Sequence, residues 1–216
     1  MVRNRLHEGG MRARRPQVGV VLTAQHRAGR LAFAREHQDW QIRHWRPVLF
    51  TDESRFTRST CHGVGWHFFG GGRTALHVLA RSSLTAIRYR DEILRPLVRP
   101  YAGADGPGFL LMQDNARPHV AGVCQQFLQE EGIDAMDWPA RSPDLNPIEY
   151  IWDIMSRSIH QRHDAPQTVQ ELADALVQVW EEIPQETIRH LIRSMPRHCR
   201  EVIEARGSHT HYGDSF

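Results

Sequence analysis

The chain has 216 residues, 40% of them hydrophobic and 24% charged, with a formal net charge of +2, which suits one sizeable core in a single domain. No window approaches the ~20 apolar residues of a membrane helix, and no apolar run near the N-terminus marks a secretory signal. The three cysteines, Cys61, Cys124 and Cys199, are odd in number and far apart, which argues against a disulfide framework or a zinc cluster and favours a reducing compartment.

Charge is spread unevenly. Residues 1–50 hold ten arginines against Glu8, Glu36 and Asp39. A basic arm of this kind often tracks nucleic acid. All 27 basic residues are arginine; arginine suits phosphate, although GC-rich codon usage gives the same bias. Residues 1–46 read as a linker or remnant with one short helix from about Thr23, carrying Leu31, Phe33 and Ala34.

From Pro47 the pattern changes. "VLFTDESRF" (48–56) alternates as a strand, with Val48, Phe50, Asp52 and Ser54 on one face. "VGWHFFGGG" and "RTALHVLA" read as a β-hairpin. In "SLTAIRYRDEILRPLV", Ile87, Leu94, Leu97 and Val98 lie near helical spacing, and Pro96 is expected to kink or end the helix. "GFLLMQD" reads as a buried strand. "PHVAGVCQQFLQEEG" carries an apolar stripe of Val120, Val123, Cys124, Phe127 and Leu128, with Pro118 as its start and Gly132 as its end. "IDAMDWP" is a last short strand. "PIEYIWDIMSRSIH" places Ile148, Ile151, Trp152, Met155 and Ile159 on one helical face. Two further helices, about 168–182 and 185–204, close the chain. The order β-β-β-α-β-α-β-α-α-α predicts a mixed sheet covered by helices.

Three carboxylates stand out. Asp52 sits mid-strand beside apolar neighbours, where a charge is costly unless paired or metal-bound. Asp114 ends a strand, where open α/β sheets bind ligands. Glu149 lies in the first turn of a helix. Each has an ordinary explanation too. Asp114-Asn115 suits a turn, and Asn146-Pro147-Ile148-Glu149 suits a helix start with Asn as cap and Glu at the third position. Glu53 points to the opposite strand face, and Asp144 lies in a Ser-Pro-Asp turn. Pattern alone gives a mixed α/β domain with a candidate carboxylate metal site and a candidate nucleic-acid partner.

"VLFTDESRF", "QDNARPH" and "WPARSPDLNPIEYIWD" closely resemble the DDE catalytic domain of Tc1/mariner transposases, and the 34 residues between Asp114 and Glu149 match the Tc1-type spacing. The resemblance runs from about Leu22 to Tyr212. It implies an RNase H-like fold, an α/β mixed five-stranded sheet flanked by helices, over 47–212, with 1–46 a basic remnant of the N-terminal DNA-binding region. It maps the catalytic and metal-binding triad onto Asp52, Asp114 and Glu149, holding two Mg²⁺ or Mn²⁺ ions, with Asp52 bridging both. It also implies DNA partners (transposon ends and target), a homodimer, no membrane, and a nuclear location. Asn115 and His119 resemble residues flanking the family site.

Two departures from the family accompany it. The segment before the first strand is too short for two helix-turn-helix units. The stretch between Asp52 and Asp114 is also shorter than in relatives, near "RFTRSTCHGVGWHF", and is expected to lack part of the second strand. The alternative reading is a catalytically silent transposon relic or a recruited nucleic-acid-binding protein.

Overall fold

The computed structural model describes residues 21–58, 60–69, 72–74, 76–79, 84–162, 164 and 166–210. The arginines of the basic N-terminal stretch up to Arg15 lie outside them, as does the chain after 210. Helix α1 (Ala24–His37) starts on Thr23, whose hydroxyl accepts from the His26 N–H while the His26 ring accepts from the Thr23 N–H. A short turn, α2 (Ile42–Trp45), leads into the sheet.

Strands β1 (Val48–Arg58) and β2 (Thr60–Phe69) form a long antiparallel hairpin, paired from Phe50–Phe68 to Arg58–Thr60. The second strand is therefore whole, contrary to the expected loss. β3 (Gly72–Arg73) and β4 (His77–Leu79) both pair with β2, the first through Phe68–Arg73 and the second through Gly65–His77. The two pairings differ in register by one residue. The Thr74 carbonyl accepts from the Trp180 indole at 2.9 Å.

Next come α3 (Ala86–Arg88), a π-helical segment (Tyr89–Val98) and α4 (Arg99–Asp105). Pro96 was expected to kink or end this helix. Instead the helix widens, with the Arg99 N–H reaching the Leu94 carbonyl five residues back. A wider turn accommodates a ring that an α-helix excludes. It also resets the buried stripe to Tyr89, Ile93, Leu94 and Val98, leaving Ile87 exposed.

Strand β5 (Leu110–Met112) runs parallel to β1, and β6 (Asp134–Ala135) parallel to β5. Between them α5 begins at Gly122 and ends at Glu130, not at Pro118. Residues 117–120 form a turn instead, in which the His119 and Val120 N–H groups share the Ala116 carbonyl. That turn sends His119 inward and Val120 outward. A 3-10 turn (Pro143–Leu145) precedes α6 (Pro147–Gln161), α7 (Val169–Glu182) and α8 (Gln185–Glu204).

The sheet order is β3-β2-β1-β5-β6, with β4 also on β2. Alternation sends Leu49 and Leu111 to one face, against the π-helical segment and α5. Val48, Phe50 and Met112 go to the other, against Ile148, Ile151, Trp152 and the helices that follow. Phe33, Ala34 and Trp45 belong to this second core, so α1 and α2 are packed elements of the domain; the linker reading does not describe them. Cys124 and Cys199 are free and buried. Among the described residues no helix is long and apolar enough to cross a membrane.

Buried His198 on α8 lies against the Ser194 hydroxyl at 3.2 Å. Burial, aided by Arg197, pushes its pKa down to about 4 from 6.5. The folded state thus holds it neutral, and stability is lost as pH falls from about 6.5 towards 4. Linkage puts this group's contribution at roughly 2 kcal/mol between pH 7.5 and pH 5. Urea unfolding at both pH values should show a drop about that much smaller in His198→Gln. Equal drops would remove His198 as the cause.

Candidate active site

Asp52 and Asp114 are placed by strand register. β1 and β5 pair at Phe50–Met112, and each Asp stands two residues further on. Both therefore follow the face of Phe50 and Met112, towards α6. Past that point β5 stops while β1 turns to pair only with β2, and the strands part. Glu149 comes from the first turn of α6. Asn146 caps that helix by accepting from the Ile148 N–H at 3.2 Å, with Pro147 in first place. The Asn146 N–H goes to the Pro143 carbonyl, so Glu149 is not spent on a capping box. All three carboxylates line one cleft of about 340 Å³, walled by residues 138–143 and Asn146.

Each carboxylate has its own surroundings. Asp52 Oδ2 accepts from the Trp152 indole at 3.2 Å and from the Asn146 amide at 3.5 Å. Asn146 thus caps α6 with its oxygen and reaches Asp52 with its nitrogen. Asp114 Oδ1 lies 2.7 Å from His119 Nδ1 and accepts from the Ala116 N–H at 2.8 Å. Burial alone would raise the Asp114 pKa, but His119 and the Ala116 N–H outweigh it and hold the carboxyl below its usual range. His119 is fully buried with its ring tilted against Tyr89, centroids 4.2 Å apart, and the Tyr89 hydroxyl donates to Gln113 at 2.8 Å. Glu149 goes the other way: burial and the Asp114 charge push its pKa up. Among the described residues no three His, Cys, Asp or Glu side chains stand close enough to hold a metal ion as they are.

Sequence reasoning left Asn115 and His119 open between turn and site. The Asn115 amide donates to the Trp138 carbonyl at 2.8 Å and the residue lines the cleft; His119 is the buried partner of Asp114. Trp152 lies on the apolar stripe of its helix, yet its indole N–H serves Asp52, as buried tryptophans seldom leave that donor unused. Asp144, read as a turn residue, is the buried partner of Arg30, with two 2.6 Å hydrogen bonds between them. Its carboxylate also accepts from the Thr210 N–H and hydroxyl, both at 2.9 Å.

Comparison with known proteins gives the same picture. A family model described as DDE superfamily endonuclease matches residues 71–173, and a transposase model matches residues 1–39. The Tcb2 transposable-element transposase of Caenorhabditis briggsae is 32% identical over 98% of this chain and 87% of its own length. That alignment spans 239 positions, more than the chain has residues, so the relative carries segments absent here. The Tc1 transposase of Caenorhabditis elegans is 30% identical with the same coverage. Among solved structures, the Mos1 transposase catalytic domain with Raltegravir and Mn superimposes with a TM-score of 0.77 at 15% identity, covering 89% of this chain and all of that one. A Mos1 paired-end complex with the left transposon end gives 0.78, covering 96% of this chain and 70% of that one. The sheet, the helices around it and the kinship agree: the fold is RNase H-like, and the chain belongs to the Tc1-like transposases of the Tc1/mariner superfamily, with a DDE-type catalytic domain.

Proposed function

We propose that this chain cuts and joins DNA strands at Asp52, Asp114 and Glu149, acting on transposon ends and target DNA in the nucleus as a homodimer. The observation that carries the reading is the meeting of these three carboxylates, from β1, the end of β5 and the start of α6, in one cleft.

The donor set fits hard divalent cations, Mg²⁺ or Mn²⁺, which prefer carboxylate oxygens. The Asp114 charge is already felt at Glu149, a repulsion that a cation between them would relieve. Asp52, Asp114 and Glu149 would hold two such ions, which when bound would supply an activated water or 3′-hydroxyl and neutralise the leaving oxygen. The chain's other residues hold this arrangement ready. Trp152 and Asn146 fix the Asp52 carboxylate. His119 and the Ala116 N–H keep Asp114 ionised, and the ionised carboxylate holds the His119 proton on Nδ1. Burial and the Asp114 charge make Glu149 hold its proton more tightly than an ordinary glutamate, so metal binding should become tighter as pH rises.

Nicking of supercoiled plasmid in Mn²⁺ tests the reading. Cutting should appear with the metal, stop with a chelator, and fall at least a hundredfold in Asp114→Asn and in Glu149→Gln. Salt-dependent DNA binding without cutting, indifferent to Asp114→Ala, would overturn it in favour of a silent relic or a recruited DNA-binding protein.

A further inference from the structure

Among the described residues that line the cleft, three are carboxylates and a single one, Arg141, is a cation. Arg141 is also one of two described non-glycine residues with positive φ, at 58°. This left-handed conformation costs an L-residue about 1–2 kcal/mol and persists only where its surroundings impose it. They do so here. The Arg141 carbonyl accepts from the Arg30 guanidinium at 3.4 Å, and buried Arg30 is itself pinned by Asp144. On the far side, the Ser142 hydroxyl donates to the Ala140 carbonyl.

The turn leaves Arg141, a lining residue of the cleft, exposed. Among the described residues it forms no ion pair with Asp52, Asp114 or Glu149, and its side chain makes one exposed hydrogen bond, 3.3 Å to the Val21 carbonyl. Glycine would occupy such a backbone without strain. An arginine at this position therefore calls for work done by its side chain. A DNA strand brought to three carboxylates is repelled by them, and a planar guanidinium matches two phosphate oxygens at once.

We infer that Arg141 is a positioning residue that grips a backbone phosphate of the bound strand, in the cleft that the three carboxylates line. This rests on the proposed function. The test measures DNA binding without cutting: a short fluorescent duplex is titrated against salt with Ca²⁺ in place of Mg²⁺, using the full chain, Arg141→Gly and Arg141→Lys. One lost phosphate contact lowers the slope of log affinity against log salt by about 0.9 and weakens binding about fivefold at physiological salt. Arg141→Gly should show this loss while its urea midpoint rises, because the backbone strain is gone. Arg141→Lys, with its charge kept, should retain the slope of the parent. A parent-like slope in Arg141→Gly overturns the inference. So does an equal loss in both variants with lowered stability, which would mean a distorted wall. A parent chain that binds no DNA removes the proposed function itself, a result distinct from either.

Discussion

Asp144→Ala is expected to destabilise the domain by about 3–5 kcal/mol, the range for stripping one partner from a buried ion pair. Arg30 is fully buried, and Asp144 meets it with both oxygens. The remaining Arg30 donors go to the carbonyls of Arg141, Gly207 and Ser208. Four stretches therefore converge on one guanidinium: α1, the cleft wall, the 3-10 turn and the chain after α8. Removing the carboxylate leaves a buried charge and takes the acceptor from Thr210 as well. Burial pulls the Asp144 pKa up, but Arg30 and then Thr210 outweigh it and hold it low. The pair's contribution is thus present above the ordinary carboxylate range and lost as pH falls through the depressed value. Urea unfolding is the measurement, within a cycle that includes Arg30→Met and the double variant Arg30→Met/Asp144→Leu. The double variant should recover much of the loss, since apolar replacement of a buried pair is often neutral. A single-variant cost below about 1 kcal/mol, the range of an exposed pair, would contradict the account.

Gly207→Ala should be comparably severe. Gly207 has φ +77°, and a Cβ there would lie 2.3 Å from the Arg27 carbonyl oxygen and 3.1 Å from the Arg27 Cα. The obstacle is backbone of α1, which cannot swing aside as a side chain would. Gly207 also donates to the Val202 carbonyl at 2.8 Å to end α8 and accepts from Arg30 at 3.0 Å. Backbone strain and the clash together give roughly 2–5 kcal/mol. Gly132 is the control. It too has positive φ, +65°, but its Cβ would meet nothing within 4 Å, so Gly132→Ala should cost only the conformational part, about 1–2 kcal/mol. Equal costs at the two sites would show that α1 is not held against the end of α8.

What the sequence disclosed follows the range of its signals. Periodicity and caps are local, so α7 and α8 begin and end close to where Thr168, Glu171 and Pro184 place them. Asp52 and Asp114 share a face because alternation carries each two residues beyond Phe50 and Met112. Non-local contacts left no such trace. Arg30 and Asp144 are 114 positions apart, and nothing near Arg30 in the sequence distinguishes it from exposed Arg27, Arg35, Arg43 and Arg46. Pro96 carried a true signal, a conflict with α-helical geometry, but the chain resolves it by widening the helix. His119 was obscured by Pro118, which resembles a helix start yet opens a turn that buries the imidazole beneath Asp114. The second strand was expected to lack a part because the stretch between Asp52 and Asp114 is shorter than in relatives, whereas its pairing with β1 runs from Thr60 to Phe68.

The central claim is that Asp52, Asp114 and Glu149 form one divalent-metal site. Thermal unfolding under a Mn²⁺ titration at neutral pH, for the parent chain and Asp114→Asn, tests it most directly, because a ligand that binds the folded form raises its melting temperature with concentration. The account predicts a progressive rise in the parent and little or none in the variant. A parent that does not respond, or a variant that responds equally, would contradict it.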